Sequence, residues 1–339
     1  MLSKVAGAVA WCALVAACSG TSGGQTAGSG DGGMTAAQAC ADNAHQRCTR
    51  LQACSATDLQ LRYGSESACE TGEAGSCMLT LAQPSNGKTV AHVEACAQAY
   101  AGWSCTDYLN DQNIPTGCQQ ATGPFANGAA CAVSGQCQTG FCAIAPGAAC
   151  GTCAAVPQAG ASCAQLTACA PGFTCTTDTK TCVVFAAQGA ACGRGAPCGA
   201  GLSCVGADAT TGVMGTCQRA VETSGAACDP TLKTGPGCDR NAGLVCNGMS
   251  KTCQAVVLAS AGQPCGDVNH QTAYCSAEGT CTGASAAAPG TCTAAATAGA
   301  ACDQASGTSC VSPGRCVGSV SDAGITGTCE YAGAQTCGG

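Results

Sequence analysis

Residues 163–182 read CAQLTACAPGFTCTTDTKTC, and this stretch contains the pattern that decides the fold. Four cysteines divide it, and the part between the last two places β-forming residues on both sides of a polar turn at 178–180. This arrangement predicts a β-hairpin. Because an isolated hairpin is only marginally stable in water, we expect two disulfides to hold each such unit together.

The same four-cysteine pattern occurs six times within residues 119–339. Each copy opens with Gly-x-x-Cys and closes with Gly-Thr-Cys or Lys-Thr-Cys, and the copies start near residues 128, 160, 189, 225, 262 and 299. Spacings of this length are typical of repeat proteins, in which each unit contacts mainly its neighbours. The six modules use 24 of the 26 cysteines in this part of the chain and leave Cys150 and Cys337 over.

Within each module we expect a crossed pairing, in which the first cysteine bonds the third and the second bonds the fourth. The spacing of cysteines alone does not fix their connectivity, so this pairing is a hypothesis. For modules 2 and 3 the expected pairs are Cys163–Cys175, Cys169–Cys182, Cys192–Cys204 and Cys198–Cys217.

The composition excludes most conventional enzyme folds. Charged residues make up 9% of the 339 residues, against about 25% in typical domains. Leu, Ile, Val and Phe together number 39, below the roughly 20% that an ordinary core requires. A barrel or doubly wound sheet would need more branched aliphatics, whereas 36 cysteines are typical of a disulfide scaffold in an oxidising compartment.

Residues 35–118 differ from the repeats, because they combine eight cysteines with most of the helix signals. Thr35, Ser65 and Ser104 are each placed to cap the start of a short helix, and residues 89–100 carry Val90, Val93 and Ala97 near one helical face. Short helices are marginal alone, so we expect four disulfides to stabilise them. The predicted fold is therefore a small disulfide-rich one: a helical four-disulfide N-terminal domain followed by tandem two-disulfide β-hairpin modules.

The first 17 residues are predicted to be a secretory signal, since Lys4 precedes an apolar run that is too short to span a bilayer. The run ends in Val15-Ala16-Ala17-Cys18, which resembles the bacterial lipobox. That resemblance implies cleavage before Cys18, acylation of Cys18 and, with Ser19 following, placement at the outer membrane. An ordinary signal that ends beside a cysteine is the alternative. Residues 18–34 are Gly/Ser-rich and predict a flexible tether.

Two resemblances extend this interpretation. Residues 131–182 resemble the Dickkopf N-terminal cysteine-rich domain in their cysteine spacing, except that Cys169 is single where that family has a pair. The whole layout is similar to cysteine-rich lipoproteins of deltaproteobacteria of the myxobacterial type, with lipobox, tether, eight-cysteine region and repeats. This second resemblance implies a location and an architecture, and no activity.

We find no candidate set of catalytic, cofactor-binding or metal-ligating residues. His45, His92 and His270 lack the spacing of a zinc hydrolase, and the single Cys-x-x-Cys, Cys150 to Cys153, lacks the βαβ context of a redox motif. Three aspartates could ligate calcium, although no complete calcium loop surrounds them and solvated turns are favoured; they are Asp229, Asp239 and Asp303.

We expect a non-catalytic, lipid-anchored, disulfide-rich protein of the cell envelope that acts in adhesion, ligand binding or envelope structure. Its partners would be the membrane, through the anchor, and an unidentified protein or glycan. Removal of Lys4 with the signal takes the net charge from −7 to −8, which disfavours nucleic acid. The alternative is a protein–protein modulator such as a protease inhibitor, which is less favoured because the basic residues of the loops are not in register.

Overall fold

The computed structural model describes residues 33–164, 169–176, 178–269, 271–285 and 288–337, and Met34–Gly339 forms one compact unit. In these residues 34 cysteines form 17 disulfides, and a small helical region precedes a series of small, mainly antiparallel sheets. The predicted fold class is therefore confirmed. Signal, Cys18 and most of the tether lie outside the described residues.

Five α-helices lie within residues 35–118, a segment that we term the hub. Their first residues follow the capping side chains, which accept backbone N–H groups that helix geometry leaves unpaired. Thr35 forms a complete capping box with Gln38. Ser55 both ends α1 and caps α2, a helix that the sequence analysis did not identify. The helices are α1 (Ala36–Cys54), α2 (Ala56–Tyr63), α3 (Glu66–Ala82), α4 (Val90–Ala99) and α5 (Cys105–Leu109).

Disulfides hold the hub where its apolar core is thin. Two of them join α1 to α3, the third joins the end of α1 to the start of α5, and the fourth joins α4 to a short 3-10 helix at Thr116–Cys118. Leu51, Leu59, Tyr63 and Val93 are buried around them. Each bridge contributes about 2–4 kcal/mol. The bridges are Cys40–Cys77, Cys48–Cys69, Cys54–Cys105 and Cys96–Cys118.

Short strands make up the six modules. Module 1 contains β1 (Ala130–Cys131), β2 (Cys142–Ala143) and β3 (Gly151–Cys153); module 2, β4 (Phe173–Cys175) and β5 (Cys182–Val184); module 3, β6 (Ala191–Cys192), β7 (Leu202–Val205) and β8 (Gly215–Arg219). Module 4 contains β9 (Leu244–Cys246) and β10 (Cys253–Ala255). Module 5 and the segment before it contain β11 (Val257–Ala259), β12 (Pro264–Val268), β13 (Gln271–Cys275), β14 (Thr280–Thr282) and β15 (Gly290–Thr293); module 6, β16 (Ala301–Asp303), β17 (Arg315–Ser321) and β18 (Gly324–Glu330).

All six modules share one register. The third and fourth cysteines lie directly opposite each other in the hairpin, as Cys175 and Cys182 do in module 2. The first cysteine bonds the third and the second bonds the fourth throughout, which is the crossed pairing that the sequence analysis expects for modules 2 and 3. The two bridges of a module therefore lie side by side and form most of its core.

The glycine of each Gly-x-x-Cys motif has a specific backbone role. It adopts a left-handed φ, between 79° and 90° in the six modules, which side chains with a Cβ rarely tolerate. In this conformation its N–H donates to the carbonyl of the module's fourth cysteine at 2.8 Å in every case. The motif thus closes each module on itself. The six glycines are Gly128, Gly160, Gly189, Gly225, Gly262 and Gly299.

The modules do not form an open array. Cys150 of module 1 bonds Cys337 beyond module 6, across 187 residues. Beside this bridge the Gly318 N–H donates to the Gly147 carbonyl at 2.8 Å, and the Arg315 side chain donates to the Ala149 carbonyl. The first and last modules are therefore joined, and we refer to residues 119–337 as the ring.

The ring encloses the hub, because modules along its whole length contact the helices. In module 1 the Gln136 side chain donates to the Pro84 carbonyl. In module 5 the N–H of Ala277 donates to the Gln60 carbonyl, and in module 6 Tyr331 lies against Gly75 of α3. The expectation that each module contacts mainly its neighbours is therefore wrong.

Candidate ligand-binding cavity

A cavity of about 1090 Å³ separates the hub from modules 3 and 4. Its hub wall comes from α1, α2, α3, the segment before α4 and the aromatic residues that follow it. Its opposite wall consists of residues 197–204 and 237–241. Two smaller cavities, of about 520 and 260 Å³, share lining residues with it. The space therefore continues along the seam between hub and ring, and we term it the hub–ring cavity.

Arg47 and Glu73 form the charged centre of the hub wall. Arg47 Nε lies 3.5 Å from Glu73 Oε2, and the Tyr63 hydroxyl donates to Glu73 Oε1 at 2.6 Å. The negative charge of Glu73 raises the pKa of Arg47 well above its usual value. Burial, followed by the charge of Glu73, raises the pKa of Tyr63. The site therefore holds a charged pair and a neutral phenol.

Lys88 lies on the same wall, in the segment between α3 and α4. Its N–H donates to the Asn86 side chain at 3.1 Å, and the Asn86 amide donates in turn to the Thr80 carbonyl. Burial lowers the pKa of Lys88, and the nearby charge of Arg47 lowers it further. Among the described residues Lys88 forms no ion pair. Its ammonium is a partly desolvated cation at the cavity.

Three aromatic rings form a rigid side of the cavity. Trp103 stacks on Tyr100 with ring centroids 6.1 Å apart and meets Tyr108 edge-on at 5.3 Å. The Trp103 indole N–H donates to the Gln112 carbonyl at 2.8 Å, and an Arg50 N–H donates to the Trp103 carbonyl. Burial raises the pKa of Tyr100, and it raises that of Tyr108 to about 12. Both phenols are therefore hydrogen-bonding groups at neutral pH.

Each aspartate considered as a calcium ligand accepts hydrogen bonds from residues of its own turn. Both carboxylate oxygens of Asp229 accept hydrogen bonds from Thr231 and Thr234, and these lower the pKa of Asp229. Asp303 accepts from two N–H groups of its own turn, and Asp239 accepts from the N–H of Asn241. Each carboxylate stabilises a local turn, as is usual for Asp at these positions.

Groups of three sulfur atoms also lie within 4.8 Å of one another in the modules. Their cysteines belong to the two adjacent disulfides of a module, as Cys163, Cys169 and Cys182 do in module 2. Metal binding requires a thiolate, which a disulfide sulfur does not offer. These groups therefore reflect the packing of neighbouring disulfides.

His45 and His92 do not line the cavity. His45 bonds Glu70 at 2.6 Å on the outer face of α1 and α3, and this hydrogen bond raises the pKa of His45. His92 lies in the first turn of α4, and His270 lies outside the described residues. Of the charged residues that line the cavity, Asp239 was named from the sequence, as a possible calcium ligand, whereas Arg47, Glu73 and Lys88 were not. The only sequence feature that pointed to this part of the chain is that three of the five tyrosines, Tyr63, Tyr100 and Tyr108, lie within the hub.

Comparisons with known proteins leave the chain without an assigned relative. No family model, curated protein or solved structure matches it. None of the helices in the described residues combines the length and the apolar character needed to cross a membrane. The disulfide content indicates an exported, extracellular or envelope protein, since disulfides form and persist in oxidising compartments.

Proposed function

We propose that this chain is a non-catalytic, lipid-anchored protein of the cell envelope that binds a small ligand in the hub–ring cavity. The observation that supports ligand binding, rather than adhesion or a purely structural role, is the cavity itself. Its volume of about 1090 Å³ is at the upper end of the range of small-molecule sites. Rigid aromatic rings line it together with many charged and polar groups, which can fix the orientation of a ligand.

The disulfides support this proposal by supplying rigidity. A ligand site must be held in its binding geometry, because ordering it on binding would cost free energy. The hub bridge Cys54–Cys105 fixes the start of α5, from which Tyr108 faces the cavity. The bridges Cys192–Cys204 and Cys198–Cys217 fix the opposite wall in module 3. A protein built this way presents a preformed cavity in an environment where proteases and denaturing conditions are common.

The anchor is proposed from the sequence alone. The lipobox-like residues before Cys18, the tether over 18–34 and the similarity to deltaproteobacterial cysteine-rich lipoproteins all support acylation and placement at the outer membrane. Two or three acyl chains suffice for stable anchoring. We also keep the Dickkopf resemblance of residues 131–182 as a proposal about modules 1 and 2; Cys150, within that stretch, bonds Cys337 outside it.

A protease inhibitor is the less supported alternative. Lys180 and Lys251 lie in matching hairpin turns of modules 2 and 4, each two residues before the fourth cysteine, so the expected lack of register is wrong for this pair. Their φ values are 51° and 52°. An inhibitor loop that binds a protease by strand addition must be extended. A residue with a left-handed φ is not extended, so Lys180 and Lys251 do not fit this mode of binding. These turns therefore favour compact hairpins over reactive loops.

To test ligand binding, a substitution is chosen that fills the cavity and leaves its charged residues unchanged. Ala200 lines the wall opposite the hub and contacts it through its N–H, which donates to Asn110, so Ala200→Phe should occupy the space while the backbone stays in place. Ala209→Phe, on an exposed turn of the same module, is the matched control. Protein purified from its own envelopes is examined by native mass spectrometry.

We expect the unaltered protein and Ala209→Phe to carry one small molecule, and Ala200→Phe to lose it. Equal occupancy in the two variants would contradict the proposal, as would an unaltered protein that carries no ligand. Circular dichroism verifies that both variants keep the helical and strand content of the parent.

A further inference from the structure

We infer that the hub–ring cavity recognises an oxyanion, the carboxylate or phosphate group of a hydroxylated ligand, with Arg47 and Lys88 as its cationic contacts. This inference rests on the proposed function and specifies the chemistry of the ligand.

The first step is the distribution of charge around the cavity. The chain as a whole carries 19 acidic and 12 basic residues, yet four basic and four acidic residues line this one cavity. Arg62 pairs with Asp58 at 3.1 Å, and Arg47 pairs with Glu73. Lys88 is left without an ion pair among the described residues. A protein with a strongly acidic balance thus places a cation that has no ion pair among the described residues in the wall of this cavity.

The second step is the environment of Lys88. Transfer of a charge away from water costs free energy unless an opposite charge compensates for it. The charged groups that act on the Lys88 ammonium are Arg47, which opposes its charge, and Glu73, which Arg47 already neutralises. Asp111 also lines the cavity but acts on Tyr100 instead. A bound anion would supply the missing compensation, which is a physical reason for this site to attract one.

The third step is the geometry of Arg47. Its Nε faces Glu73, and 40% of its side-chain surface is accessible although it lies between helices and aromatic rings. The accessible part of the side chain therefore faces the cavity. A guanidinium presents several N–H donors in a plane that matches the oxygen atoms of a carboxylate or phosphate. Arg47 can bind an oxyanion while it keeps its contact with Glu73.

The fourth step is the set of neutral groups beside these cations. Tyr100 forms a hydrogen bond with Arg47, and the Tyr108 hydroxyl lies 3.4 Å from the Arg47 carbonyl. A phenol of ordinary pKa is already neutral at neutral pH, and burial raises the pKa values of both further. Tyr108, whose O–H donates to the Arg47 carbonyl, can accept from a ligand hydroxyl, as can Tyr100. This combination selects a hydroxylated acid over an apolar acid of the same size.

The test uses Trp103 as the reporter. It lies in the cavity wall, and Trp11, the other tryptophan, is absent from a chain that begins at Cys18. Protein beginning at Cys18 is titrated with glucuronate, glucose 6-phosphate and glucose while Trp103 fluorescence is recorded. These probes share one ring and differ in the group attached to it, so they separate carboxylate from phosphate and both from a neutral sugar.

We expect at least one acid to bind ten-fold or more tightly than glucose. Lys88→Met should weaken that acid by about ten-fold or more, because a hydrogen bond to a charged group contributes about 1.5–3 kcal/mol. It should leave glucose unchanged. Lys233→Met, which removes an exposed lysine in module 4, is the matched control and should change neither. Arg47→Gln should also weaken the acid, with Thr49→Gln on the outer face as its control.

Two results would overturn the inference. One is equal affinity for the acids and glucose, or no response to either acid up to tens of millimolar. The other is an acid whose affinity Lys88→Met leaves unchanged. If native mass spectrometry still finds a ligand that Ala200→Phe removes, the cavity binds a ligand of other chemistry and the proposed function stands. If that ligand is also missing, the proposed function fails with the inference.

Discussion

The bond between Cys150 and Cys337 should contribute far more to stability than its position near the C-terminus indicates. It closes 187 residues of chain, and the ten disulfides of modules 2 to 6 shorten the connecting path in the unfolded state. The path is then roughly 100 residues long, and closing it stabilises the folded state by about 4.7 kcal/mol in the chain-entropy model. For a body of about 300 residues this corresponds to about 7 °C in Tm.

The perturbation is the double change Cys150→Ser and Cys337→Ser, which leaves no free thiol to exchange. Thermal unfolding followed by circular dichroism should show the lower Tm, with 16 of the 17 disulfides verified by mass spectrometry. Hydrogen exchange should become faster at Gly318, whose N–H donates to Gly147 across the closure. A variant that lacks Cys163–Cys175, a bridge that spans 12 residues, is the control and should leave exchange at Gly318 unchanged. A Tm within about 1 °C of the parent, or unchanged exchange at Gly318, would refute the reasoning.

Three further changes test other parts of the molecule. Cys18→Ala should move the protein from the detergent phase to the aqueous phase in Triton X-114 partitioning, and unchanged partitioning would defeat the proposed anchor. Glu70→Gln should lower the pKa of His45 towards 6.5 in an NMR titration, since the hydrogen bond to Glu70 raises that pKa. The contact between His45 and Glu70 stabilises the fold below pH 6.5, and this stabilisation is lost as the pH rises through the pKa of His45 in the folded state. Burial raises the pKa of Tyr108 to about 12, so the contribution of Tyr108 to stability is present below pH 10 and is lost towards pH 12. The difference in absorbance at 295 nm between the parent and Tyr108→Phe should show no ionisation of Tyr108 at pH 10.5. An ordinary midpoint near pH 10 would count against the described packing.

The features that the sequence predicted well are those fixed by local geometry. A hairpin between Cys175 and Cys182 needs only β-forming residues around a turn, and both lie within a few residues. The N-caps predicted for the hub helices are equally local, because Thr35, Ser65 and Ser104 each accept from an N–H three residues on. Such features depend little on the rest of the fold, so the sequence pattern was sufficient.

The features that it missed depend on contacts between distant parts of the chain. Nothing in the spacing of Cys150 or Cys337 indicates that they meet, since 187 residues separate them. The short helix α2 is the exception, because its N-cap Ser55 is local but also ends α1. The sequence did not predict the cavity, because Arg47 and Glu73 come from different helices and are brought together only by packing. Their residue types alone are ordinary for exposed helix faces.

Closure of the ring and the chemistry of the cavity are linked by one physical requirement. On an isolated hub Arg47 and Lys88 would face bulk water, where two charges 4 Å apart interact by only about 1 kcal/mol. Modules 3 and 4 form the wall that faces these side chains, and a bound anion that displaces water between the two walls would interact more strongly with the cations. Under the proposed function, the join between modules 1 and 6 would help to hold that wall opposite the two cations, which links the long-range disulfide to the affinity for the anion as well as to stability.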